Sequence, residues 1–201
     1  FPENGSEEVL DVRGHLVVPG FIDLHAHFRE PGREDEETIE SGVRAAVLGG
    51  YCGVAVMANT DPPIDSPGMV RFVVDKARQI GLIDVYPVAA VSKGLNGSEL
   101  TEMVSLRRAG AVAFSDDGRP ITDSWLMRKA LEYSLLTGAP VISHCEDLQL
   151  SQGGCVNEGA LGTALGLRGI PGEAEDIMIA RDLMLARLTG GSLHIAHVST
   201  A

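Results

Sequence analysis

Phe21-Ile22-Asp23-Leu24-His25-Ala26-His27 is a nearly unbroken apolar run that ends in two histidines. Its length suits a strand covered on both faces, the kind found inside parallel sheets. Similar runs recur at Gly53–Asn59, Asp84–Ser92, Ala111–Asp117, Pro140–His144 and Ser192–Ser199, each closing on polar or ligand-type residues. Helical patterns alternate with them over Asp35–Gly49, Pro67–Ile80, Ser98–Ala109, Asp123–Thr137 and Glu173–Thr189. The first begins among acids that suit the positive end of a helix dipole. The second follows Asp65-Ser66 with a proline at about its first position, where the missing N–H costs nothing.

Strand and helix alternating at this rhythm predict an α/β fold with a parallel sheet. Two closures are compatible with it: an open doubly wound sheet, or a (β/α)8 TIM-like barrel with about six of its eight units in this chain. No G-x-G-x-x-G follows the first run, which weakens the dinucleotide-binding version of the open sheet. Residues 1–18 stand outside the rhythm and read as the remnant of a small β domain, with short strands at Val9–Val12 and His15–Val18. The barrel part is expected over residues 19–201. Six units leave an open edge, so a polypeptide of these residues alone is expected to be unstable and inactive.

The 201 residues carry 16 basic and 28 acidic side chains, a formal charge of −12. Nucleic-acid and anionic-membrane partners are therefore not expected, since phosphate neutralisation needs clustered Lys and Arg. No apolar run approaches the roughly 20 residues of a membrane helix. Cys52, Cys145 and Cys155 make an odd count without a C-x-x-C pair, which fits a reducing cytoplasm better than a disulfide scaffold.

The chemistry gathers at strand ends. His25 and His27, at i and i+2, share one face of a strand and can hold one ion together. His144 ends the fifth run, and His194 and His197 lie on the sixth. Those last two are three apart and should face opposite sides. His197 is nearer the C-terminal end, where parallel α/β sites are built, and His194 is expected to pack against a helix. Ser115-Asp116-Asp117-Gly118 ends the fourth run, and one of its acids could bridge two cations; the other would serve an Asx turn or a cap. Spacing does not choose between them. Arg29, two residues after His27, can grip a carboxylate through paired hydrogen bonds, and Asn59 can add an amide donor. Cys145, next to His144 on a strand, should point away and pack inertly.

Taken together, H-x-H-x-R-E-P-G over His25–Gly32, Asn59-Thr60-Asp61-Pro62-Pro63, the Asp116-Asp117-Gly118 turn, Ser143-His144-Cys145-Glu146-Asp147, Asn157-Glu158-Gly159 and His194-Ile195-Ala196-His197 resemble the dihydroorotases of the amidohydrolase superfamily. The resemblance runs from about Val9 to the last residue. It implies a distorted (β/α)8 barrel with one or two zinc ions, His25 and His27 on the first metal and His144 and His197 on the second. Many relatives bridge the metals with a carboxylated lysine. No lysine lies between Lys93 and Lys129 here, and the family's register assigns the bridge to Asp117. Arg29 and Asn59 match positions that hold the substrate carboxylate. Ala58 departs from the family, which commonly has proline there.

The resemblance implies reversible ring closure of N-carbamoyl-L-aspartate to dihydroorotate in pyrimidine biosynthesis, in the cytoplasm. The proton-shuttling aspartate belongs at strand eight, beyond residue 201. It also implies a homo-oligomer and allows a complex with aspartate carbamoyltransferase. Two other readings stand beside it: a non-catalytic dihydroorotase-like subunit supporting that enzyme, and another cyclic amidase such as a hydantoinase or allantoinase.

Overall fold

The computed structural model describes residues 10–200. Its main sheet is parallel throughout and contains β1 (Phe21–Ala26), β2 (Tyr51–Val56), β3 (Asp84–Ala89), β4 (Ala113–Phe114), β5 (Val141–Ser143) and β8 (Leu193–Ile195), ordered as written. The helices between these strands are α1 (Ile39–Leu48), α2 (Pro67–Ile80), α3 (Met103–Ala109), α4 (Ser124–Thr137) and α7 (Glu173–Thr189). The sheet curls into part of a barrel, as expected.

Alternation along the strands separates two apolar clusters. Val54, Val56, Val85, Phe114 and Val141 pack with the helices in the large core. Ala55, Met57, Val88, Ala113, Ile142 and Ala196 form a smaller cluster on the opposite, concave face. β1 is an edge strand, and Phe21, Ile22 and Leu24 on it are 57%, 55% and 61% exposed. The both-faces-covered expectation therefore holds for the central strands and fails at this edge.

Helix ends follow local capping. Ser66 caps α2 by accepting from Met69 N, and Gly81 closes it in the left-handed region, at φ 67°. The expected start of the first helix at Asp35 is corrected to Ile39, because Thr38 and Ser41 form a reciprocal capping box. The acids before Thr38 lie in turns instead. The third helix starts at Met103 rather than Ser98. Leu100 pairs with Ser92 in an antiparallel bridge, and the Thr101 hydroxyl donates to Ala90 O at 2.8 Å, which draws this segment back to the end of β3.

Between β5 and α7 the chain adds α5 (Leu148–Ser151), β6 (Val156–Asn157), α6 (Ala160–Ala164) and β7 (Gly169–Ile170). β6 and β7 form a separate parallel pair. Val9 of the expected N-terminal strands lies outside the described residues. Leu10–Val12 and His15–Val18 are in no strand. A turn from Val12 O to His15 N joins them, and Leu16, Val17 and Val18 are exposed, with no neighbouring strand among the described residues to complete a ladder. Among the described residues no helix is long and apolar enough to cross a membrane.

Candidate metal centre

The barrel's alternation delivers the side chains. Ala26 packs toward the helices, so His25 and His27 on either side of it share the concave face. Ala113 and Asp117 have the same parity on the fourth strand and its extension, as do Ile142 and His144 on the fifth. The sheet's curvature then brings the first and last strands together: the His25 and His197 rings are 5.2 Å apart, and His197 and His144 are 4.8 Å apart.

Asp117, 5% exposed, lies at the centre. Its Oδ2 is 3.4 Å from His25 Nε2 and 3.5 Å from His27 Nε2. Its Oδ1 is 3.4 Å from His144 Nδ1 and 3.2 Å from His197 Nε2. Each carboxylate oxygen thus faces one histidine pair. Ligand atoms of His25, Asp117 and His197 fall within 4.8 Å of one another, close enough to surround one ion. Four imidazoles and a carboxylate are a donor set that suits zinc.

Electrostatics distinguish the members. Burial opposes ionisation of Asp117, but the imidazoles of His144, His25 and His197 around it outweigh burial and hold the carboxyl well below its usual range. Burial pushes His25 down, with His27 and His197 adding to the effect. The neighbouring Asp117 carboxylate raises His144, and Glu146 adds to it.

The two acids have different surroundings. Asp116 turns away from the cluster and accepts from Val91 N at 2.8 Å, from Ser92 N at 3.0 Å and from the Ser92 hydroxyl. It ties the loop after β3 to β4, a longer-range tie than an Asx turn or helix cap.

His197 reaches the cluster by breaking the strand. β8 stops at Ile195, and His197 adopts the left-handed region at φ 34°. The expectation for His194 is corrected. It is exposed and in register with Ile142, so it lies on the concave face rather than against a helix. Strict alternation from His194 would send His197 the other way, and the left-handed turn reverses this. Cys145 faces inward toward α7, with Sγ 3.4 Å from Ser143 Oγ, and burial pushes its thiol up to about 11.

Beside the centre is a cavity of ≈ 480 Å³ lined by Arg29, Asn59, Asp117, Gly118 and two residues the sequence reading missed, Arg33 and Arg119. Arg29 Nε lies 3.6 Å from Glu36 Oε2, and the three arginines share the wall with Asp61 and Asp117. Arg119 is placed there by the turn from Asp116 O to Arg119 N, 2.8 Å. Its position directly after Asp-Asp-Gly was the signal available in the sequence. Asn59 also touches the centre: its Oδ1 is 2.9 Å from His27 Nδ1. Glu146, the other omission, places Oε2 3.2 Å from His144 Nε2. A larger hollow of ≈ 620 Å³ lies at the opposite end of β2 and β3, around Cys52, Ala77 and Tyr86, and contains none of these histidines.

Barrels of the hydantoinase type share this architecture. The L-hydantoinase of Arthrobacter aurescens matches 90% of this chain and 42% of its own, with TM-score 0.70 and 21% identity. The dihydroorotase of Saccharomyces cerevisiae in complex with 5-fluoroorotic acid matches 87% of this chain and 46% of its own, with TM-score 0.55 and 15% identity. Sequence narrows the class. The model of the dihydro-orotase-like family matches residues 14–201, and the chain belongs to that family. It is 50% identical over 198 residues to the dihydroorotase of Acetivibrio thermocellus and 54% identical over 195 residues to that of Pelotomaculum thermopropionicum. Those matches cover 98% and 96% of this chain but 46% and 45% of the relatives, so the chain spans about half their length.

Proposed function

We propose that the protein containing this chain is a zinc-dependent dihydroorotase. It would interconvert N-carbamoyl-L-aspartate and dihydroorotate in pyrimidine biosynthesis. The observation that carries the reading is Asp117, with one oxygen toward His25 and His27 and the other toward His144 and His197. These five residues hold one or two zinc ions.

Bound zinc would supply Lewis acidity and a nucleophile at neutral pH. The residues of this chain do the rest. Asp117 stays ionised, because its proton affinity is too low for it to act as an acid or base near neutrality. Arg29 and Asn59, both on the cavity wall beside Asp117, hold the substrate carboxylate and orient the ring amide toward the centre. The nitrogen released on ring opening needs a proton, and the proposed donor is an aspartate on the last strand of the complete barrel, outside residues 1–201.

The same reading assigns residues 1–18 to a small β domain completed by other parts of the protein. It also places the enzyme in the cytoplasm as a homo-oligomer, with aspartate carbamoyltransferase as a candidate partner. The test uses the complete protein: zinc analysis, then assays with dihydroorotate and with a hydantoin. Zinc-dependent opening of dihydroorotate is expected, with little turnover of the hydantoin. Preference for the hydantoin would reassign the protein to another cyclic amidase. Zinc binding without turnover of either would favour a non-catalytic subunit.

A further inference from the structure

His144 has a carboxylate on each side. Nδ1 points inward, 3.4 Å from Asp117 Oδ1 and 3.0 Å from His197 Nε2, while Nε2 points outward to Glu146 Oε2 at 3.2 Å. Three features fix Glu146 in this place. Cys145 before it is buried against α7, and Asp147 after it donates its N–H to Ala174 O at 2.7 Å. The Asp147 side chain caps α5 through Gln149 N and Leu150 N. Among the described residues no lysine or arginine forms an ion pair with Glu146, so His144 is its one ring partner.

A neutral imidazole has one protonated nitrogen, and whichever group accepts that proton decides which nitrogen remains to bind a cation. We propose that Glu146 is a positioning residue that holds His144 with Nε2 protonated, so that Nδ1 is presented to a divalent cation at the centre. This rests on the metal-centre reading above. The counterpart on the other pair is the Asn59 amide on His27 Nδ1, which presents Nε2 instead. The two pairs therefore differ in kind. A carboxylate makes its histidine a stronger donor than a neutral amide does, so the two halves of the centre should respond separately to removal of their partners.

The experiment uses the complete protein, with Glu146→Ala and Glu146→Gln variants. ¹⁵N spectra of the histidine rings in chelator-stripped samples report the tautomer without metal or turnover, with a His144→Gln sample to assign the ring. Zinc titration then reports affinity. Wild type should show His144 protonated at Nε2. Glu146→Ala should lose this preference and weaken one zinc equivalent by about 10- to 100-fold, while the other changes little. Glu146→Gln, whose amide oxygen still accepts from Nε2, should restore most of both. An unchanged tautomer and unchanged zinc affinity in Glu146→Ala would overturn the proposal. Equal damage in the Gln and Ala variants would also overturn it, because the acceptor would then not be what matters. If wild type shows the Nε2 tautomer but binds no zinc, the metal-centre reading fails while the positioning of His144 stands.

Discussion

Asn59 Oδ1 and His27 Nδ1 are 2.9 Å apart, which joins the wall of the neighbouring cavity directly to the candidate metal centre. One amide therefore serves two neighbours: its oxygen accepts from the imidazole, and its nitrogen remains for the cavity. Asn59→Asp keeps the acceptor and replaces the donor with a negative charge. Zinc content should stay near wild type while KM for dihydroorotate rises by about tenfold or more. Asn59→Ala removes both functions and should also weaken zinc binding by roughly tenfold. Zinc titration and steady-state kinetics on the two variants separate the roles.

Arg29→Lys keeps the charge and loses the planar fork. Its kcat/KM should fall by about tenfold or more, mostly through KM, with zinc content unchanged. Kinetics equal to wild type would remove Arg29 from the substrate site.

The two histidines near β8 should behave oppositely. His197→Ala takes a ring from the cluster and should lower the zinc stoichiometry. His194→Gln should keep the metal, and since the ring is exposed rather than packed, stability should change by no more than about 0.5 kcal/mol. Elemental analysis and thermal denaturation check both.

Gly32 permits the close approach of two loops. It has φ 98°, and a Cβ there would lie 1.9 Å from Asp61 O, a backbone atom that cannot swing aside. Gly32→Ala should destabilise the protein by more than about 2 kcal/mol, read from urea unfolding. Because this turn carries Arg29 and faces the Asn59 loop, KM should rise in any variant that still folds.

In the metal-free protein the ring titrations should be ordered. His25, pushed down by burial, should lose its proton first as pH rises, and His144, raised by Asp117, should hold on past it. Asp117 has a depressed folded value, so its stabilising contribution is present above the unfolded carboxyl value of about 4 and is lost as pH falls. Asp117→Asn should bring the His144 titration down, because the larger of its two carboxylate neighbours' effects is removed. NMR of the histidine rings in chelator-treated samples measures the order.

The main sheet was readable in the sequence because its central strands are long enough to show continuous burial, as Gly53–Asn59 does. The pair Val156–Asn157 and Gly169–Ile170 was not readable, since two-residue strands leave no pattern. The starts of α1 and α3 moved for different reasons, one set by the Thr38–Ser41 capping box and the other by a tertiary bridge at Leu100. Within the site, i, i+2 spacing was enough to place His25 and His27 together. It could not separate Asp116 from Asp117, because the deciding partners, Val91 and Ser92, are about 25 residues away in sequence and meet Asp116 only in the folded sheet. His194 was misplaced because a strand with two apolar faces does not announce which one is concave. The left-handed His197 that rescues the geometry is likewise a backbone event invisible to alternation.

The candidate ligands come from both margins of the sheet, with His25 on β1, His27 directly after it and His197 just after β8. On the proposed ligand set, an ion held by these residues would be a clasp between the two free edges of an arc, and its binding energy would resist flattening of the sheet. Zinc availability would then set mechanical shape as well as chemistry. Without zinc the arc would have a wider, more variable opening, and its shape would depend on metal supply.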